Sequence, residues 1–161
     1  MEQLIGDVIS ALKAAGLSAM RFGPGAQPGR PDGAVICVGL KQASADAAGF
    51  YDYLGVVDDP GRGRCELYGR RMTCSLRLLA VSPKISGAAG AETAAAGAMD
   101  ALLSAETRAR IGACTIGQAF FDGQLDAWCC EVTAEASVMR YAASGDEGET
   151  LTEFELRGEW K

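Results

Sequence analysis

Six thiols, two sets of charged side chains and one glycine-rich stretch are the residues that could carry chemistry in this chain. The thiols are Cys37, Cys65, Cys74, Cys114, Cys129 and Cys130. None stands in a C-x-x-C pair, and metal-ligand spacing is absent. The sequence contains no histidine, which removes the commonest general base and the commonest metal ligand together. Thiols without histidine cannot form the usual Cys–His nucleophile pair. Cys129 and Cys130 are adjacent, so on a strand they face opposite ways. Cys74 and Cys130 fall on apolar phases and read as small buried thiols.

The glycine-rich stretch is Gly23–Gly29, GPGAQPG. No Lys-Ser/Thr follows it and no helix opens there, so it is a loop and not a phosphate cradle. The carboxylates Glu131, Glu135, Glu153, Glu155 and Glu159 share the outer phases of two strands. Paired across a hairpin with Arg77, Arg140 or Arg157, they read as a solvated, charged sheet face. Acid–base work or a hard cation is the competing reading. Arg62, Arg64, Arg70 and Arg71 lie within ten residues of one another. Such a cluster meets phosphate or an acidic protein face. With no interleaved aromatic platform in an acidic chain, protein contact is the better reading. The inventory points away from an enzyme and calls for no cofactor and no metal.

The totals agree. A length of 161 residues fits a single domain over 1–161 with a sizeable core. The net charge of −6 argues against a dedicated nucleic-acid binder. The opening MEQLIGDVISALKAAGL is amphipathic and lacks the layout of a signal peptide. No apolar run approaches the roughly 18–20 residues needed to span a bilayer. Reduced thiols in a cytoplasm are the corresponding expectation.

The elements that must position these residues follow from periodicity. Leu4, Ile5, Val8, Ile9 and Leu12 make a helical stripe over residues 2–15. Gly16 suits the left-handed stop, with Leu17 folded back on Leu12. Ala34–Leu40 is an apolar run that reads as a strand covered on both faces. Lys41–Gly63 is mixed, holds Phe50, Tyr51 and Tyr53, and reads as a long excursion. Leu67–Pro83 alternates strictly. Met72, Cys74, Leu76, Leu78 and Ala80 form a dry face, and Arg71, Thr73, Ser75 and Arg77 a wet one. Ser86 is placed to cap a helix running to about Leu103, with Ala91, Ala95, Ala98, Met99 and Leu102 inward. Strands follow over Ile111–Phe121, Leu125–Tyr141 and Leu151–Lys161, the first pair joined at Asp122–Gly123. The predicted fold is α+β: a mainly antiparallel sheet of about five strands with two helices on one face.

Several stretches carry a resemblance. They are VICVGLKQ at Val35–Gln42, YDYLG at Tyr51–Gly55, CELYGRRMTCSLRLLAVSP at Cys65–Pro83, AFFDGQLDAWCCEVTAEA at Ala119–Ala136 and FELRGEWK at Phe154–Lys161. In their order they resemble the tail terminator proteins of contractile-tailed Firmicutes prophages and phage-tail-like particles. The resemblance implies an α+β fold and a ring, generally a hexamer, that caps the tail tube and sheath. It implies tube and sheath proteins as partners, a head–tail connector as a further one, and a location in a virion or tail-like particle assembled in the bacterial cytoplasm. It implies no catalytic residue, membrane contact or sequence-specific nucleic-acid contact. Tyr51, Tyr53, Arg62, Arg64, Arg70, Arg71, Arg77, Glu153 and Glu155 are the expected interface residues. A head–tail joining or neck protein, a tail chaperone, and a small-ligand- or peptide-binding α+β domain with Phe50–Tyr53 as a lid stay open.

Overall fold

A computed structural model describes residues 2–23, 29, 31–61, 63–105 and 109–145. The expected closing strand at Leu151–Lys161, with Glu153 and Glu155, lies outside the described residues, as does Arg62. In chain order the elements are α1 (Glu2–Ala14), β1 (Ala19–Arg21), β2 (Val35–Ala47), β3 (Tyr53–Asp59), β4 (Gly63–Pro83), a single 3₁₀ turn (Lys84–Ser86), α2 (Gly87–Ser104), β5 (Arg110–Ile116), β6 (Phe120–Asp122) and β7 (Ala127–Gly145).

The architecture is α+β, with a seven-stranded sheet ordered β1-β2-β4-β7-β5. Strand β3 pairs with β4, and β6 with β7. Four of the about five predicted strands lie on described residues, and they become seven for three reasons. The first is that β3 runs through the stretch predicted as an excursion. The strand β1 has only three residues, too few for a period to show. The run Ile111–Phe121 is broken into β5 and β6, where Gly117 N–H donates to the Glu131 carbonyl at 2.8 Å. The sheet is also mixed, because β1 runs parallel to β2 in the register Ala19↔Ile36.

Backbone contacts divide the chain into two compact units. One comprises Met1–Gln42 with Cys74–Ala136, the other Ala43–Thr73 with Ser137–Lys161.

In the first unit, α1 buries Leu4, Ile5, Val8 and Leu12. It ends as predicted. Gly16 has φ 81°, and its N–H donates to Lys13 O while Leu17 N–H donates to Leu12 O, both at 3.0 Å. This double bond pattern is the Schellman stop. Helix α2 buries Ala91, Ala94, Ala95, Ala98 and Leu102. Small residues let α1 approach α2 closely, and Leu17 lies over Gly97. The two helices touch each other, and each reaches one border strand, α1 at β1 and α2 at β5. They therefore cover the same sheet face. Ser86 precedes α2 but makes no side-chain cap, since the 3₁₀ turn already holds it in helical conformation.

Leu76, Leu78 and Ala80 of β4, the dry phase of its alternation, have no exposure. The opposite phase was expected to be wet. Beyond Arg77 it is dry instead. Leu79, Val81, Cys37, Ala127 and Cys129 form a second small core, flanked by Met20, Phe22, Val35 and Leu125. Cys129, which the alternation assigned to the wet face, has no exposure for this reason. Burial raises the Cys37 and Cys129 thiols to about 11. Cys129 adds to the effect at Cys37, while Asp122 and Cys130 add to it at Cys129.

Candidate interaction site

In the second unit, β3 and β4 form a hairpin in the register Tyr53↔Tyr68 to Asp59↔Gly63. The Asp59 carboxylate accepts from Gly61 N–H at 2.8 Å in the turn. The predicted excursion over Lys41–Gly63 is thus mostly regular strand, β2 continuing to Ala47 and β3 starting at Tyr53. The sequence concealed this because Leu40–Ala47 is exposed at every position, so no dry phase appears in it.

What protrudes is a knuckle of three residues. Gly69 of β4 faces both of its ends: its carbonyl accepts from Ala48 N–H at 3.3 Å, and its N–H donates to Asp52 O at 2.7 Å. Gly49, Phe50 and Tyr51 bulge out between those two bonds. Tyr53 N–H closes the turn onto Phe50 O at 3.0 Å. Its central residues, Tyr51 and Asp52, have φ 50° and 68°, the signs of a type I′ turn that favours Asn-Gly. Two L-residues with side chains hold a left-handed conformation at a cost of roughly 1–2 kcal/mol each.

The turn is held by close packing and one ion pair. A Cβ on Gly49 would strike the Tyr53 carbonyl. One on Gly69 would stand 2.5 Å from Leu54 Cδ1, 3.1 Å from Arg140 O and 3.2 Å from a Tyr141 ring carbon. Arg70 Nε donates to the Asp52 carboxylate at 2.6 Å. Phe50 and Tyr51 are then presented 82% and 84% exposed, their rings edge to face at 4.6 Å.

Beside the knuckle is a groove of about 570 Å³. Its aromatic walls are Tyr51, Tyr68 and Tyr141, with Met72 between and Arg70 and Arg140 as cations. Tyr53 stacks edge to face on Tyr68 at 5.7 Å. Tyr68 donates to Glu66 at 2.6 Å, and that bond is the main cause raising the Tyr68 phenol above its usual range.

Of the interface residues named from sequence, Tyr51, Tyr53, Arg64, Arg70 and Arg71 fall in this unit. They do not form one basic patch. Arg70 is spent on Asp52. Arg71, its chain neighbour, points to the other face of β4. Arg64 sits opposite Asp58 in the hairpin register.

Arg77 belongs to the first unit. Its Nε and Nη2 both reach one Glu131 oxygen at 2.9 Å, the Arg77–Glu partnership that the charge pattern allowed. The same guanidinium lies 5.6 Å over the Phe22 ring. Phe22 rests on Gly39, where a Cβ would meet Phe22 atoms at 3.4–3.6 Å. Ile5, Arg21, Phe22, Leu40, Lys41 and Arg77 line a second cleft of about 570 Å³, with Glu131 at its side.

Asp52, Tyr68, Gly69 and Phe22 escaped the sequence reading. Gly69 had a signal, since a glycine inside a strongly alternating strand marks a close backbone approach. The pairing of Asp52 with Arg70, eighteen residues apart, had none. Among the described residues no group of His, Cys, Asp or Glu could hold a metal ion, and no helix is long and apolar enough to cross a membrane. No known protein family matches the chain, and no curated protein matches it.

Proposed function

We propose that this chain is a structural tail protein of the tail-terminator kind, which assembles as a ring, a hexamer, on the end of a tail tube. The ring caps tube and sheath, ends their polymerisation and offers a surface for head–tail joining. Its place is a virion or phage-tail-like particle, and its partners are copies of itself, the tube and sheath proteins, and a connector. The α+β sheet with both helices on one face is compatible with a fold of this kind.

The observation that carries the reading is the knuckle. A free monomer gains nothing from holding Phe50 and Tyr51 in water on a strained turn. Strain kept at an exposed point is characteristic of binding sites, and exposed aromatic pairs are typical anchors of protein contacts.

The test is negative-stain imaging of the purified protein mixed with tail tubes. Rings at one tube end are expected. A monodisperse monomer that leaves tubes uncapped and growing would refute the reading. Binding to portal rather than tube ends would move the protein to a neck or joining role.

A second reading rests on the tyrosine-lined groove of the same unit. There the chain is a small-ligand- or peptide-binding domain and the knuckle is its lid. A monomer that retains a small molecule through purification, identified by mass spectrometry, would favour it.

A further inference from the structure

We propose that Phe50 and Tyr51 of one copy seat in the Phe22–Arg77 cleft of the next copy, making the joint of the ring. The inference rests on the ring reading and names its contact.

The two surfaces are chemically opposite. The knuckle offers two rings, 82% and 84% exposed, and the strand entering it carries the exposed carboxylate of Asp46. The cleft offers three cations, Arg21, Lys41 and Arg77, against one lining carboxylate, Glu131. That carboxylate is held by Arg77 at 2.9 Å, and Arg21 is held by Glu2 at 3.2 Å. Lys41 has no anion partner among the described residues. Aromatic faces attract cations within about 6 Å, and the cleft already uses this attraction internally, with Arg77 5.6 Å over Phe22. An incoming ring meets the same chemistry at Lys41 and Arg21, with Ile5 and Leu40 as apolar wall. Asp46 brings the charge that Lys41 lacks.

Size agrees as well. A volume of about 570 Å³ lies in the range of sites that enclose ligand-sized groups, so it accommodates two rings. Two aromatics burying roughly 150–250 Å² each supply the anchor of an interface rather than all of it. The knuckle and cleft are different patches of the chain. A contact between them is heterologous, runs head to tail, and closes into a ring when the rotation allows. A knuckle meeting its own equivalent would stop at a dimer.

The experiment mixes two defective full-length proteins. Phe50→Ala/Tyr51→Ala lacks the knuckle and keeps the cleft. Lys41→Glu/Leu40→Glu spoils the cleft and keeps the knuckle. All four positions are exposed, and circular dichroism checks that both variants fold. Size-exclusion chromatography with multi-angle light scattering of the wild type is expected to show rings, and of each variant alone, monomer. The mixture is expected to form a one-to-one heterodimer and nothing larger, because one sound joint survives. A wild-type ring with either variant still forming rings would overturn this joint and leave the ring reading standing. A mixture without heterodimer would overturn it likewise. A wild type monomeric both alone and on tail tubes would overturn the ring reading, and the joint with it.

Discussion

Arg70 fastens Asp52 through a 2.6 Å charge-assisted bond, and Asp52 is one of two adjacent residues held at positive φ. The pair spans the base of the turn that carries Phe50 and Tyr51. Arg70 is 63% exposed at its side chain, so the bond contributes only about 0.2–1 kcal/mol. That is less than the strain it accompanies. The turn therefore persists because β3 and β4 pair on its far side and Gly69 anchors both its ends.

The first prediction follows from that imbalance. Replacing Tyr51→Asn and Asp52→Gly installs the residues a type I′ turn prefers. Relief of strain exceeds loss of the ion pair, and the double variant should be more stable by about 1 kcal/mol. Urea denaturation should show a higher midpoint with an unchanged slope. Ring formation should fall at the same time, since Tyr51 is gone. A variant both more stable and fully assembling would detach the strain from the function.

Gly69 gives the second. Gly69→Ala drives a methyl toward Leu54, the Arg140 carbonyl and Tyr141. Leu54 can swing aside, but the Arg140 carbonyl belongs to the backbone of β7. Overpacking of this kind costs typically 1–3 kcal/mol. Gly49→Ala should cost more, because the atom its methyl strikes first, the Tyr53 carbonyl oxygen, belongs to the backbone and cannot swing aside, with Leu54 Cδ2 crowding it at 3.2 Å. Denaturation midpoints should rank wild type, Gly69→Ala, then Gly49→Ala.

The contrast among the strands explains what was legible beforehand. Helix α1, its Gly16 stop, and β4 were readable because a single apolar face repeats at one period. The dry face at Leu76, Leu78 and Ala80 could be named from spacing alone. Leu79, Val81 and Cys129 could not, since alternation assumes one covered face and the second small core covers the other. The knuckle was partly legible. Its aromatics stood out in composition, but its geometry depends on Gly69, sixteen or more residues away along the chain. The polar, fully exposed end of β2 has no pattern for any reading to find.

The Arg77–Phe22 stack supports a third prediction. Arg77 is 38% exposed at its side chain and Glu131 31%, so water screens their pair in part. A double-mutant cycle with Arg77→Ala and Phe22→Leu should return a coupling of about 0.5–1 kcal/mol. The coupling should change little between low and moderate salt, whereas that of Arg77 with Glu131 should shrink. Zero coupling to Phe22 would mean the two side chains are merely adjacent.

The fourth prediction concerns pH. Cys37 and Cys129 keep their protons in the folded chain to about 11, against 9.0 for a free thiol. Between those values the folded state binds more protons than the unfolded one. Stability therefore holds below pH 9 and falls as pH rises from about 9 to 11. Denaturation midpoints measured across that range should decline for the wild type. They should decline less for Cys37→Ala/Cys129→Ala, which keeps Tyr68 and so isolates the thiols from the phenol. The same burial predicts selective alkylation. Cys114 is only half-buried, while Cys37, Cys65, Cys74, Cys129 and Cys130 are buried. Brief iodoacetamide treatment at pH 8 should label Cys114 first, and all six only after denaturation, as read by intact mass. Early labelling of Cys129 would show that the second core opens in the native state.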